Sequence, residues 1–490
     1  MRFDHALIRH VALALVVPLV LTACASGPDY VRPALSLPTA YKEDGAWKPA
    51  QPKEADANQP WWMRYGDADL DALIAQANTA NQNIRIAEAQ YRQARAAAQL
   101  ARAGFAPAIG ADVSVGRSRT RTATGAMVAD SNALTLDASW EPDIWGRVRR
   151  SVEAGEAAAQ ASAADLAAAR LSIQAELVQD YLQLRITDAQ KDLIVHTVQE
   201  YSKALALTRS QYKEGIVTRA DVALAETQLQ SANAQAIDLG VQRSQLEHAI
   251  AILTGKPPSQ LTIAARSPDA LGLVLPEVPA GLPSQLLERR PDIAAAERRA
   301  AAANAEIGVA QSAYFPRLLF NASGGFANAG FSQWIDAPSR IWSLGATLAA
   351  TIFDGGARRA QNDATVAAYD AAAAQYKQAV LVGLQEVEDN LATLRVLDAE
   401  RTVQDAAVSS ARIAAHASLE QYRAGTVTYL AVVTSQTLLL TNQRNAVQLL
   451  GRQLAASAAL VKALGGGWNI AGDTAPVRTA PPAAVTAAGS

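Results

Sequence analysis

The chain has 490 residues and a formal net charge of −2, and 108 of its residues are alanine. Half of the residues are hydrophobic but only 6% are aromatic, which excludes a large core of bulky side chains. Abundant alanine together with Leu, Gln, Glu and Arg favours helices that pack closely. The near-neutral charge excludes a basic surface for nucleic acid, and a single cysteine excludes a disulfide scaffold.

Residues 1–23 predict an export signal, because basic residues precede a short apolar run at 11–21. A membrane anchor needs about 20 apolar residues, so this run is too short to span a bilayer. The run ends at Cys24, the only cysteine of the chain. The sequence around it resembles a bacterial lipoprotein signal, which implies that Cys24 is lipidated. No aspartate follows it, which by the same resemblance favours the outer membrane. The alternative is an ordinary signal peptide.

Two long runs of the chain contain no proline, residues 143–256 and 339–475. Because proline interrupts helices, these runs predict very long ones. The first should cover about 147–212 and the second about 358–422. Each would be about 100 Å long at 1.5 Å per residue, which suits a bundle or tube of helices.

The two halves of the chain resemble each other. Residues 211–218 align with 421–428, and residues 104–107 align with 313–316. The order of elements also repeats, as helix, two strands, very long helix, glycine turn and helix. These matches predict a gene duplication.

Four stretches of about ten residues alternate apolar and polar side chains, at about 108–117, 133–143, 317–326 and 342–353. This period of two is typical of strands that cross an outer membrane. Four aromatic residues near the strand ends predict a membrane girdle: Trp140, Trp145, Trp342 and Phe353.

Four strands cannot close a membrane barrel, which needs about eight because open edges are not tolerated in lipid. The barrel must then combine several chains. Two, three or four chains would give eight, twelve or sixteen strands, and the pattern alone does not choose between them. The alternative is a soluble coiled coil capped by two β-hairpins.

Several motifs resemble the TolC-like outer membrane factors, and within them the lipoprotein branch of multidrug efflux channels (NodT-type). They are the opening motif at 61–67, the Arg-Pro-Asp-Ile signature at 290–293, the end of the first repeat at 253–255 and the junction at 353–356. The resemblance implies a mixed α/β membrane protein. Three chains would form a twelve-stranded outer-membrane β-barrel, with four strands from each, continued by a long α-helical periplasmic barrel.

The expected organisation follows from the repeat and the resemblance. In chain order it comprises a lipoprotein signal peptide (1–23), an N-terminal equatorial segment (24–67), repeat 1 (68–256), a Pro-rich equatorial linker (257–291), repeat 2 (292–464) and a flexible C-terminal tail (465–490).

Glycine turns at Gly215 and Gly425 are expected to end the long helices. The simplest interpretation is a helical hairpin turn. The resemblance implies in addition that these turns form the periplasmic tip, where an adaptor protein docks. The residues assigned to docking are Gly215, Val217, Thr218, Gly425, Val427 and Thr428.

A pore gate is expected just past these turns. Leu430 matches a hydrophobic constriction residue of the family, which would close the pore by dewetting. Thr434 stands where well-known relatives have an aspartate, so the usual carboxylate ring is in doubt. Arg219 and Asp221 are candidates for a closed-state ion pair, and a solvated surface pair of little energetic value is the equal alternative.

Basic residues open both long helices, where they oppose the helix dipole. We expect them to bind anionic headgroups at the inner leaflet surface, with solvated charges as the alternative. These residues are Arg147, Arg149, Arg150, Arg358 and Arg359.

No catalytic, cofactor or metal motif is present, so an enzyme is not expected. The predicted function is a passive exit duct for drugs or other small toxic compounds in the outer membrane of a Gram-negative bacterium. The implied partners are two further copies of the chain, a periplasmic adaptor protein, an inner-membrane transporter and outer membrane lipids, without nucleic acid. The alternatives are a type I protein secretion channel and, less favoured, a structural coiled-coil lipoprotein.

Overall fold

A computed structural model describes five stretches of the chain, residues 26–43, 60–122, 125–266, 289–330 and 334–466. The predicted signal peptide and Cys24 lie outside them, as do most of the Pro-rich linker and nearly all of the C-terminal tail. The chain divides into two compact units. Unit 1 comprises Met1–Leu35, Glu88–Ala164 and Ala294–Gln378, and unit 2 comprises Ser36–Ala87, Asp165–Ile293 and Ala379–Ser490.

Six of the seven α-helices of the described residues form three pairs of equal length. The second and fifth have 22 residues each, the third and sixth 67, and the fourth and seventh 35. The two longest begin and end within one residue of the limits that the proline-free runs predict. The seven helices are α1 (Ala68–Ala80), α2 (Gln82–Ala103), α3 (Arg147–Lys213), α4 (Arg219–Leu253), α5 (Pro291–Ser312), α6 (Ala357–Arg423) and α7 (Tyr429–Ala463).

Unit 1 contains an antiparallel sheet whose strands lie in chain order, so that β1 and β4 form its two edges. Each hairpin consists of two strands that follow one another in the chain. The strands are β1 (Ala108–Thr122), β2 (Gly125–Trp140), β3 (Arg317–Asn328) and β4 (Arg340–Ala349).

The first hairpin is longer than the sequence predicted. The expected end of β1 near residue 117 and the expected start of β2 near residue 133 are wrong, since pairing continues from Arg117 with Asp130 to Thr122 with Gly125. Backbone pairing needs extended residues but no apolar ones, so the polar continuation escaped a search for apolar alternation. The predicted end of β4 at 353 is also wrong, because β4 ends at Ala349, the partner of the first residue of β3.

The register separates one apolar face of the sheet from one polar face. Paired residues of neighbouring strands lie on the same face, and successive residues alternate between the faces. One row across the sheet is entirely apolar and the adjacent row consists of glycine and polar residues. The apolar row is Ile109, Ala138, Ala322 and Leu344, and the adjacent row is Gly110, Asp137, Ser323 and Ser343.

Aspartates just before the long helices explain why these helices can begin with arginine. Asp143 accepts backbone hydrogen bonds from Val148 at 2.8 Å and Arg149 at 2.9 Å. Asp354 accepts one from the Arg358 backbone at 3.2 Å and pairs with the Arg358 side chain at 2.5 Å. Each carboxylate offsets the dipole and holds an arginine.

The expectation that the basic helix starts bind headgroups is therefore revised, because carboxylates of the chain itself already face these arginines. Arg149 pairs with Asp143 at 3.3 Å. The remaining pairs are Arg147–Glu141 at 3.0 Å, Arg150–Glu153 at 2.8 Å and, more loosely, Arg359–Asp363 at 4.0 Å.

Small residues let helices approach closely within each unit. In unit 1, a methyl group at Gly155 would lie 3.2 Å from the Cα atom of Ala98, on α2. In unit 2, a methyl group at Gly451 would lie 3.2 Å from the side chain of Ile186. The abundant alanine of the sequence suits such helix contacts.

A buried arginine of α3 organises the polar contacts of unit 2. Arg185 is fully buried and donates to the Tyr181 hydroxyl and the Ala264 carbonyl, both at 2.7 Å. Tyr181 in turn donates to Asp67 at 2.6 Å. Asp188 lies 3.4 Å from Arg185. These bonds fix the described ends of the N-terminal equatorial segment and the Pro-rich linker against α3.

We predict that Arg185→Ala lowers the free energy of unfolding by about 3–5 kcal/mol, because it removes one partner from a buried ionic network. Denaturant unfolding of the detergent-solubilised protein measures this loss. The matched control is Arg452→Ala, whose pair with Glu400 is roughly half exposed (60% and 47%). An exposed pair contributes under about 1 kcal/mol, so equal losses in the two variants would contradict the account.

Candidate functional site

The two long helices end in turns of the same geometry. Gly215 has φ 74° and Gly425 has φ 75°. The Ile216 amide donates to the Gln211 carbonyl at 2.9 Å, and the second turn repeats this bond at the same distance. This pattern is a Schellman motif, which requires a left-handed residue at the helix end. No atom lies within 4 Å of a Cβ placed at either glycine, so φ rather than crowding selects glycine.

The two turns differ in how the following helix is capped. Thr218 and Asp221 form a capping box, in which the Thr218 amide donates to Asp221 at 2.9 Å and the Asp221 amide donates to Thr218 at 3.3 Å. Thr428 makes no such side-chain bond, since alanine stands at the position of the aspartate. The first turn is therefore more firmly fixed.

This cap also gives Asp221 a different role from the predicted one. Its carboxylate accepts from both the amide and the hydroxyl of Thr218, the latter at 2.7 Å. Arg219 has no carboxylate partner among the described residues of the single chain. Within one chain, Asp221 caps α4 and does not pair with Arg219.

An apolar cluster lies beside the two turns, and we call it the tip cluster. Val217 and Val427 are partly buried against it, while Gly215, Thr218, Gly425 and Thr428 are exposed. Two of the six residues assigned to docking thus pack inward and stabilise the turns. The tip cluster consists of Ala204, Leu205, Ala225, Tyr422, Tyr429 and Val432.

Two tyrosines of the tip cluster were not recognised as site residues from the sequence. The rings of Tyr422 and Tyr429 meet edge to face at 5.2 Å. Tyr422 donates to Thr208 at 3.3 Å, and Tyr429 donates to Gln228 at 3.4 Å. Burial raises the pKa of Tyr429 to about 12. The sequence does contain a signal for them, because the two tyrosines flank the glycine turn at Gly425.

Two of the four residues assigned to the gate, Leu430 and Thr434, lie on one exposed face of α7. Leu430 is 57% exposed, and Leu438, two turns further along, is 53% exposed. Thr434 lies between them, also exposed, and its hydroxyl donates to the Leu430 carbonyl at 2.9 Å. A face of leucine and internally bonded threonine offers little to attract ions or polar solutes.

Three of the four predicted girdle residues are exposed in unit 1. Trp140 stacks on Phe320 at 6.0 Å where β2 ends. Trp342 on β4 and Phe353 just after it are 79% and 88% exposed. Exposed aromatic rings beside an apolar sheet face are typical of a membrane interface.

Trp145, the fourth predicted girdle residue, is half-buried and fixes the N-terminal segment. It stacks on Phe315 at 4.9 Å. Its backbone carbonyl accepts from both the amide (3.1 Å) and the hydroxyl (2.9 Å) of Ser26. Arg150 then donates to the Ser26 carbonyl at 3.0 Å. The chain two residues after Cys24 is therefore held beside the junction of β2 and α3.

Comparison with known proteins decides the family. A family model described as outer membrane efflux protein matches residues 73–256 and 282–466. The chain belongs to the outer membrane efflux protein family. Pyoverdine export outer membrane protein OpmQ of Pseudomonas aeruginosa is 32% identical over 461 residues, which covers 92% of this chain and 95% of that protein.

Two further matches agree with this membership. Toluene efflux pump outer membrane protein TtgF of Pseudomonas putida is 29% identical over 472 residues, 93% of this chain and 97% of that protein. The solved structure of the outer-membrane channel OprN superposes with a TM-score of 0.85 at 29% identity, over 91% of this chain and 100% of that chain.

The described part of this efflux protein lacks two features. No helix there contains a stretch long and apolar enough to span a membrane. Within the same residues, no group of three or more acidic, histidine or cysteine side chains could hold a metal ion.

We predict that two glycine-to-alanine substitutions in this efflux protein change its free energy of unfolding in opposite directions. Gly215→Ala should lower the free energy of unfolding by about 1–2 kcal/mol, since a Cβ disfavours the left-handed conformation. Gly240→Ala, inside α4 and with open space around its Cβ, should raise it by about 0.5–1 kcal/mol. Urea unfolding of both variants checks the pair, and stabilisation by Gly215→Ala would overturn the assigned turn geometry.

Proposed function

We propose that this outer membrane efflux protein is the passive exit duct of a tripartite efflux system. Three chains would form a twelve-stranded barrel in the outer membrane, continued by a tube of helices in the periplasm. An inner-membrane transporter supplies the energy, and a periplasmic adaptor protein connects the two. The alignment of the two halves, supported by equal helix lengths, indicates that each chain arose by duplication.

The unpaired edges of the sheet are the observation that carries this proposal. Within the part of the chain that the structure describes, β1 and β4 each pair on one side only. The apolar face suits lipid, where backbone N–H and C=O groups must all be paired. The open edges can be paired only by β1 and β4 of neighbouring copies. Three copies match the TolC-like channels that the sequence resembles.

The turns after the long helices are the proposed docking site for the adaptor. Gly215, Thr218, Gly425 and Thr428 are exposed there and have small side chains or none, so a partner backbone can approach. Val217 and Val427 support the site by packing on the tip cluster. We do not retain Asp221 in the gate, because its carboxylate caps α4.

The lipid anchor at Cys24 is a further part of the proposal. The Ser26 contacts with Trp145 and Arg150 hold the chain two residues beyond Cys24 at the junction of sheet and helices. An acyl chain attached at Cys24 would then enter the membrane next to the barrel.

Drugs or other small toxic compounds are the proposed cargo. The relatives are named for pyoverdine export and toluene efflux. These names favour efflux over type I protein secretion for this chain as well.

We predict that Leu430→Ser raises single-channel conductance in planar bilayers, because a hydroxyl at the narrowest point lets water enter. The matched control is Leu438→Ser, an equally exposed leucine of the same face of α7. It lies away from the constriction and should leave conductance unchanged. An unchanged conductance for Leu430→Ser would remove Leu430 from the gate.

The exit-duct function itself is tested in cells that lack the gene. Such cells should accumulate a fluorescent efflux substrate, and the wild-type gene should restore its export. Crosslinking should capture the adaptor from Thr218→Cys and Thr428→Cys but not from Ile237→Cys, a surface position in the middle of α4. Unchanged accumulation in the deletion strain would contradict the proposal.

A further inference from the structure

Arginines lie on the apolar face of the sheet, after the last apolar residue of β1 and before the first apolar residue of β4 on that face. On β1 the apolar residues end at Val115, and side chains two residues apart share a face. Arg117, Arg119 and Arg121 therefore follow Val115 on the same face of the strand. Arg340 joins them on β4, since it pairs with Phe326 of the apolar face.

Beyond Val115, the opposite face of the same hairpin carries no charge. Ser118 and Thr120 lie there, and their partners on β2 are Ala129 and Met127. All arginines of this hairpin thus lie on the side of the sheet that the proposed barrel turns toward lipid. Arginines placed only for solubility would have no reason to avoid the other face.

Three of these guanidinium groups have no carboxylate partner among the described residues, those of Arg119, Arg121 and Arg340. Arg117 pairs with Asp130 at 3.3 Å, and its side chain remains 75% exposed. Asp336 is the other acid at this end of the sheet, in the connection between β3 and β4. Four arginines against two aspartates leave an excess of positive charge.

We propose that these arginines bind phosphate groups of an anionic glycolipid in the outer leaflet, with Arg119 and Arg121 as the main contacts. This inference rests on the proposed orientation of the barrel in the outer membrane. Arg119 lies four residues beyond Val115, about 13 Å along the strand. Because barrel strands tilt by about 40°, this places Arg119 at the depth of lipid headgroups. A planar guanidinium matches phosphate oxygens in a bidentate manner.

The test uses purified lipopolysaccharide as the probe and two matched double variants of the full chain. R119E/R121E reverses the charge of the lipid-side arginines. S118E/T120E introduces the same two glutamates at neighbouring positions of β1, on the opposite face. Binding to the detergent-solubilised assembly is measured in the presence of EDTA, because direct arginine–phosphate contacts need no divalent cation.

We expect R119E/R121E to weaken lipopolysaccharide binding at least tenfold, while S118E/T120E binds like the wild type. Equal binding by R119E/R121E and the wild type would overturn the inference, and so would an equal loss in both variants. A wild-type assembly that inserts into the outer membrane and exports substrate but binds no lipopolysaccharide would overturn this inference alone. Failure of the wild type to reach the outer membrane would instead overturn the proposed function.

Discussion

Unpaired backbone groups at the edges of the sheet are the constraint on which the remaining structure depends. Among the described residues, β1 and β4 leave one row of N–H and C=O groups each without a strand partner. In hydrocarbon each unpaired group costs several kcal/mol, and no water is present to replace the missing bond. In the proposed barrel the apolar face lies in lipid, and the edges then require other copies of the chain. Assembly in that proposal is a consequence of the strand count.

The helices have a packing constraint of their own, because bulky aromatic side chains are scarce in this chain. Small residues such as Gly155 and Ala98 let backbones lie close together, so the helices pack without a core of large side chains. Polar networks then fix the irregular segments. Arg185 secures residues near Asp67 and Ala264 in unit 2, and Arg150 secures Ser26 in unit 1. The alanine content suits this close packing of helices, which the proposed duct requires.

The sequence predicted those parts of the fold that follow from local patterns. Proline-free runs located both long helices, and alternating side chains located all four strands. The polar half of the first hairpin was missed because strand pairing beyond Val115 depends on backbone bonds and not on apolar residues. The partners of Arg149 and Arg358 were misjudged because each aspartate lies in the loop before its helix, where only the folded turn brings it to the arginine.

The candidate site was predicted less completely. Turn glycines have a direct sequence signal, because a left-handed φ favours glycine. The inward packing of Val217, the capping role of Asp221 and the contact between Tyr422 and Tyr429 depend on how two distant hairpins meet. No single-sequence pattern reports such tertiary contacts, and for that reason the docking and gate assignments needed revision.

The central claim is that one chain supplies four strands of a barrel that several copies close together. Native mass spectrometry of the protein extracted from the outer membrane in mild detergent tests it most directly. The account predicts an assembly of three chains. A stable, membrane-extracted single chain that retains its sheet would contradict it.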